Sequence, residues 1–257
     1  MATQRRVTMP PGKARLGADS RAVTMMATIT STGNAGVHVA APGASIFVDA
    51  FWDAVPRVFG GHAPIPADHL PADLILVTHA HWDHFSAERV AEAAARTGAK
   101  VVGSADVVAR LAGHVPDGAL VELEPRESAA GGRAEPVEVT LGAATVAAFR
   151  TRHSRGHNSY LVRAGGFSFF HDGDSEDTRP LDVARIAPVD ALFLCPWQGS
   201  DWASFVERLA PRKWFIVHLA ADEIAEQRAG RFLPGLCDRV PLSDRTVALG
   251  PGESFDM

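Results

Sequence analysis

Thiols and basic side chains are scarce in this 257-residue sequence. Its two cysteines, Cys195 and Cys237, are too few for a disulfide framework and lack the spacing of a zinc ribbon or a CxxC redox pair, so a reducing, cytoplasmic setting is expected. Lys and Arg together number 25 against 30 Asp and Glu, a formal net charge of −5. No basic surplus exists to neutralise phosphates, and nucleic acid is not expected as a principal partner. No apolar run approaches the roughly 20 residues of a membrane-spanning helix. Arg5-Arg6 is followed by Pro10-Pro11-Gly12 rather than by the hydrophobic region of an export signal. With 46% hydrophobic residues the chain is long enough to bury a full core. The abundant residue is histidine, with eleven copies beside a single tyrosine, which directs attention to imidazole chemistry.

Residues 1–22 are polar, contain Pro and Gly and show no period, so they read as a flexible N-terminal extension ahead of one domain over 23–257. Residues 24–30, 37–40 and 45–48 have strand character, with turn chemistry at Ala41-Pro42-Gly43-Ala44, and describe an antiparallel meander ending at Asp49. The segment 50–71 is rich in Pro and Gly and carries Trp52 and His62, candidates for touching a substrate in a binding loop or lid. Leu74-Ile75-Leu76-Val77 reads as a strand buried on both faces. A helix from Ser86 to Gly98, a strand at Val101-Val102 and a helix from Ser104 to Leu111 follow. The second half repeats the plan, with strands at 137–140, 144–149, 159–162 and 167–170 leading into Asp172-Gly173-Asp174. Strands at 191–195 and 214–217 and helices near 202–209 and 221–231 complete it. Two such halves suggest a sandwich of two sheets with helices outside.

The strongest local signal is His79-Ala80-His81-Trp82-Asp83-His84, which follows the 74–77 strand. Residues i and i+2 of an extended segment point the same way, so His79 and His81 can close on one metal while Asp83 and His84, beyond the strand end, face a second. This arrangement demands further ligands at other strand ends, and His153, Asp174 and His218 stand at such positions. His157, four residues after His153, competes with it as ligand or serves as a nearby proton donor, and Asp172 competes with Asp174. Arg152 and Arg155 flank His153 and could hold a carboxylate or phosphate of an anionic substrate. His171 and Tyr160 lie on strands, where packing is the commoner role. Trp197 and Trp202 follow the 191–195 strand, where packing is again the commoner role.

These residues together resemble the metallo-β-lactamase-fold hydrolase superfamily over about residues 24–250. Asp49, Thr78 to His84, Arg152-His153-Ser154-Arg155-Gly156, Gly173-Asp174 and His218 carry the resemblance. Gly33-Asn34-Ala35-Gly36 and Phe47-Val48-Asp49 are most like the branch containing ascorbate-phosphate lactonase. The resemblance implies an α+β fold, a four-layer αβ/βα sandwich with two mixed sheets packed face to face. It further implies a first metal held by His79, His81 and His153, a second held by Asp83, His84 and His218, Asp174 bridging the two, and Asp49 as buried support. His81 stands where flavodiiron oxidoreductases of this fold carry Glu, and only 44 positions separate Asp174 from His218, too few for the inserted domain of β-CASP nucleases.

The chemistry expected is hydrolysis of an ester, lactone, amide or phosphoester bond of a small molecule. Two divalent ions, Zn2+ by default with Mn2+ or Fe2+ tolerated by the same ligands, would lower the pKa of a bridging water and polarise the bond attacked. Asp83 would orient the hydroxide, and His157 is the candidate to protonate the leaving group. A phosphodiesterase or nuclease, and a metal-bearing binding or sensor protein without turnover, are the competing readings.

Overall fold

Hydrophobic alternation along the strands builds two sheets that bury one face against each other and the other beneath helices. The computed structural model describes residues 27–54, 67, 69–126, 134–196 and 199–257. The first sheet contains β1 (Thr28–Gly33), β2 (Gly36–Ala41), β3 (Ala44–Val48), β4 (Leu74–Leu76), β5 (Lys100–Gly103) and β6 (Leu120–Glu122). It is completed by β14 (Ser254–Asp256), which pairs antiparallel with β1. The second contains β7 (Val137–Leu141), β8 (Ala144–Arg150), β9 (Asn158–Ala164), β10 (Phe167–His171), β11 (Ala191–Leu194), β12 (Lys213–Ile216) and β13 (Thr246–Val247).

Each sheet changes from antiparallel to parallel part-way across. β1, β2 and β3 form a meander and β3 then pairs parallel with β4; β7 to β10 form a meander and β10 pairs parallel with β11. Helices α1 (Ala87–Thr97) and α2 (Ala105–Leu111) connect parallel strands of the first sheet, and α4 (Trp202–Leu209) joins β11 to β12 in the second. Between them in chain order lies the single-turn α3 (Val183–Ile186), and α5 (Ala221–Arg228) follows β12.

The period of two decides which layer each side chain joins. In β3, Ile46 and Val48 enter the inter-sheet core whereas Phe47 lies under α1 and α2. In β12, Phe215 faces the first sheet while Trp214 and Ile216 pack beneath α4. Phe193, fully buried between the sheets, stabilises their packing by about 2–3 kcal/mol on area grounds. The result is the expected four-layer αβ/βα sandwich.

Boundaries differ from the sequence reading in places. Residues 24–26 of the first expected strand, and the expected extension 1–22, lie outside the described residues, and β1 runs on to Gly33. The last helix stops at Arg228, three residues before the expected Arg231. β6, β13 and β14 were not anticipated, because two or three residues carry no readable periodicity.

Hydrogen bonds across the seam hold the sheets together at one rim. The Tyr160 hydroxyl donates to the Val77 carbonyl at 2.9 Å, the Asn158 N–H to Thr78 at 2.9 Å, His171 Nε2 bonds the Ala35 carbonyl at 2.9 Å and the His218 N–H reaches Asn34 at 3.0 Å. This is the rim toward which β3, β4, β10, β11 and β12 point their C-terminal ends.

Candidate metal centre

Asp49 follows β3 in a left-handed backbone conformation, φ 48°, and turns its carboxylate beneath the next strand. Oδ1 accepts the Thr78 N–H at 2.8 Å, and Oδ2 accepts the Thr78 hydroxyl at 2.6 Å. This fixes the exit from β4. The chain then makes a turn in which the His84 and Phe85 N–H groups donate to the His81 carbonyl. Asn34, in the β1–β2 turn, donates from Nδ2 to the Asp83 carbonyl at 2.9 Å. Gly36 admits this crowding, since a Cβ there would come within 2.8 Å of the Asp49 carbonyl oxygen. Gly173 does the same on the second sheet, where φ is 61° and a Cβ would meet His157 Nε2 at 2.7 Å.

Among the described residues three overlapping clusters of candidate ligands result, the third being Asp49, His79 and His84, and two of them match the expected groups. His79, His81 and His153 bring one ligand atom each within 4.8 Å of one another, and so do Asp83, His84 and His218. His153 Nε2 faces His81 Nδ1 at 3.2 Å, and His218 Nε2 faces Asp83 Oδ2 at 3.2 Å. Between the groups lies Asp174 Oδ2, which is 3.1 Å from His84 Nε2, 3.5 Å from His218 Nε2 and 3.8 Å from His153 Nε2. All seven residues expected as ligands therefore meet at one place, together with Asp49, whose Oδ2 also bonds His84 Nδ1 at 2.9 Å.

The electrostatics follow from this packing. Burial lowers the His79 pKa well below the ordinary imidazole value, and the neighbouring His84 and His157 push the same way. His81 is lowered by burial and then by His153. Neutral imidazole is the metal-binding form. Burial also opposes charge on His84, but Asp174 and Asp49 on its two sides outweigh it and hold the ring protonated well above the usual range. Burial would raise the Asp83 carboxyl, yet the His218 hydrogen bond and the His84 charge bring it down to about 2. Asp174 is likewise kept ionised by His84 and His218 despite complete burial.

The donor set fits divalent cations. His79 Nε2 is buried without a hydrogen-bond partner, although its Nδ1 lies 2.9 Å from the Thr78 hydroxyl. A buried nitrogen left open at the centre of a histidine and carboxylate cluster is what a bound divalent cation would satisfy. His84 Nδ1 faces Asp49 at 2.9 Å and His153 Nδ1 faces Glu176 at 3.2 Å, contacts of the kind that orient an imidazole for metal binding.

The remaining candidates divide between those that lie as expected and those that do not. His157 is fully buried; its Nε2 accepts the Asp174 N–H at 3.0 Å, so its proton lies on Nδ1, 2.8 Å from the Thr151 hydroxyl. Burial lowers its pKa to about 3. Both nitrogens are committed inside the fold, so His157 is not placed to protonate a leaving group, nor does it stand in for His153. Asp172 is buried outside the cluster, accepts from Ser159 at 3.2 Å and is raised by burial to about 8. Tyr160 and His171 are satisfied in the seam. Trp52 is fully buried, which removes it as a substrate contact, and Trp202 packs on Trp214 with ring centroids 6.0 Å apart. Arg152 and Arg155 are exposed, and Arg152 lies 3.8 Å from Glu176. His62 and Trp197 lie outside the described residues. Trp82 had drawn no attention, yet it is 47% exposed beside the ligands. Glu176 was also missed, because a lone carboxylate two residues after Asp174 belongs to no spacing pattern.

The β-lactamase superfamily domain model matches residues 44–227. The chain belongs to the metallo-β-lactamase superfamily. Superfamily relatives include a metal-dependent hydrolase of Thermococcus kodakarensis, 26% identical over 227 residues that cover 82% of this chain and 92% of that protein. Another, from Pyrococcus furiosus, is 27% identical over 250 residues, covering 90% of this chain and 100% of the relative. The superfamily fold recurs in a solved metallohydrolase from Ignicoccus hospitalis, with TM-score 0.61, 17% identity and coverage of 90% and 98% of the two chains. It recurs also in an isothiocyanate hydrolase from Delia radicum gut bacteria, with TM-score 0.62, 15% identity and coverage of 90% and 100%. As a superfamily member the chain is a metal-dependent hydrolase.

Proposed function

We propose that the chain hydrolyses an ester, lactone, amide or phosphoester bond of a small molecule at a dinuclear centre. His79, His81 and His153 would hold one ion, Asp83, His84 and His218 the other, and Asp174 both. The position of Asp174 Oδ2 between the two groups carries this reading. When bound, two divalent cations lower the pKa of a shared water toward neutrality and polarise the oxygen of the bond under attack. Zinc suits neutral imidazoles with carboxylates, and manganese or iron suits the same set.

The chain's own groups supply orientation. Asp83 stays ionised at neutral pH and its carboxylate accepts a hydrogen bond from the attacking water. His157 acts as a positioning residue. Its Nδ1 proton points to Thr151, whose hydroxyl continues to Ser159 at 2.9 Å and so to Asp172, while Nε2 fixes the Asp174 backbone. Arg155, exposed on the loop after His153, offers a cation to an anionic substrate. Among the described residues no helix is long and apolar enough to cross a membrane.

Metal analysis and a hydrolysis panel test the reading together. Purified protein is expected to carry about two transition-metal ions per chain, as the two ligand groups require. Chelation should abolish hydrolysis of the responsive ester, lactone, amide or phosphoester, and added metal should restore it. Full activity in metal-free protein would overturn the proposal.

A further inference from the structure

His153, like His84, turns its outer nitrogen to a carboxylate, but to one on the surface. Its Nε2 faces His81 and Asp174, while Nδ1 lies 3.2 Å from Glu176 Oε1. The Glu176 backbone is held on both sides, its N–H donating to the Arg152 carbonyl at 2.7 Å and its carbonyl accepting the Ser200 N–H at 2.8 Å. The other carboxylate oxygen lies 3.8 Å from Arg152 Nε. Glu176 is thereby fixed in position by its main chain and in orientation by two flanking groups. It follows Asp174 by two residues, so one short loop carries both the carboxylate between the ligand groups and the carboxylate behind His153.

We infer that Glu176 is a positioning residue for the first ligand group, accepting the Nδ1 proton of His153 and thereby turning Nε2 inward as the ligand atom. The physical reason is tautomeric. A neutral imidazole carries one proton, and a carboxylate at Nδ1 holds that proton there, leaves the Nε2 lone pair free and makes it more basic. In the second group His84 Nδ1 likewise faces a carboxylate, that of Asp49, at 2.9 Å. The two supports differ in setting: Asp49 is buried, whereas the Glu176 side chain is 44% exposed. The Glu176 contribution is therefore smaller and more sensitive to salt.

This inference rests on the dinuclear reading, and the test separates the two. Zinc affinity is measured by competition with a chromophoric chelator, and cobalt-substituted protein is followed by its visible absorption, for the native chain and for Glu176→Ala, Glu176→Gln and Arg152→Ala. Glu176→Ala is expected to weaken one of two zinc ions by about tenfold or more. It should shift the cobalt spectrum while the second ion stays at native affinity. Glu176→Gln, which retains an acceptor oxygen without the charge, should fall between Ala and native. Arg152→Ala should leave both affinities within about twofold of native, because an exposed ion pair at this distance contributes little. Native zinc affinity and an unchanged cobalt spectrum in Glu176→Ala would overturn the inference while leaving the dinuclear reading in place. Equal losses in Arg152→Ala and Glu176→Ala would overturn it too, since the ion pair rather than the histidine contact would then be what matters. A native chain that binds no second ion would overturn the dinuclear reading itself.

Discussion

The two ligand groups share one geometry but not one foundation. Asp83, His84 and His218 rest on a buried floor, where Asp49 reaches Thr78 and His84 at once and Asn34 ties down the Asp83 loop. His79, His81 and His153 climb from that floor to the surface; His79 is buried, His153 partly so, and His81 is exposed. The floor is made by carboxylates that cannot move without breaking several buried hydrogen bonds, and the rim is made by side chains with water beside them. The difference predicts that ions leave the rim first, and that damage to the floor harms the fold as well as the site.

The largest effect is expected where the groups meet. Asp174→Ala should lose both ions in a metal assay and lower turnover by on the order of a thousandfold, since in the proposed centre both ions would share its carboxylate. Retention of two ions would dissolve the distinction between floor and rim. Next comes Asp49→Ala, which leaves the Thr78 N–H, the Thr78 hydroxyl and His84 without their acceptor. We expect a loss of about 3 kcal/mol in urea unfolding, with the second ion weakened more than the first. An equal loss of stability in Glu176→Ala would contradict the contrast.

A pH titration sharpens the same point in metal-free protein. The folded-state pKa of His157, about 3, lies below the exposed value of 6.5, so the unfolded chain takes up the proton first. Stability is full above the exposed pKa and falls as pH drops from there toward the folded value. The His157 share of this fall is about 1.4 kcal/mol per pH unit, and His157→Gln should flatten the urea-unfolding dependence by that slope. The smallest effect belongs to the seam. Tyr160→Phe removes one buried hydroxyl bond to Val77 and should cost about 1 kcal/mol without changing metal content.

Much of this centre was legible in the sequence for a physical reason. Ligands displayed at strand ends leave spacing patterns, and the residues 79–84 sit on one short segment where alternation is readable. The parallel strands beside them are apolar runs that announce themselves, and α4 matches its expected span, 202–209, because Asp201, Trp202, Phe205 and Leu209 mark its start and buried face. What stayed hidden depends on depth or on partners distant in the chain. Whether His157 meets a substrate or the Asp174 backbone is decided by the burial of its own side chain beneath the loop after β10, which no spacing encodes. Trp52 looked like a loop residue because Pro and Gly surround it, whereas it is fully buried. Glu176 acquires its partner only when the loop after β10 lies beside the loop after β8.

The seam bonds at the rim have one more consequence. Asp49 and residues 79–84 lie on loops that leave strands of the first sheet, while His153, Asp174 and His218 lie on loops that leave strands of the second. An ion gripped by both sets is a cross-link between two layers and binds only the docked sandwich. Free metal at 100 times its dissociation constant would then add about 2.7 kcal/mol to the unfolding free energy. The melting temperature of this protein thus becomes a gauge of the metal supply around it.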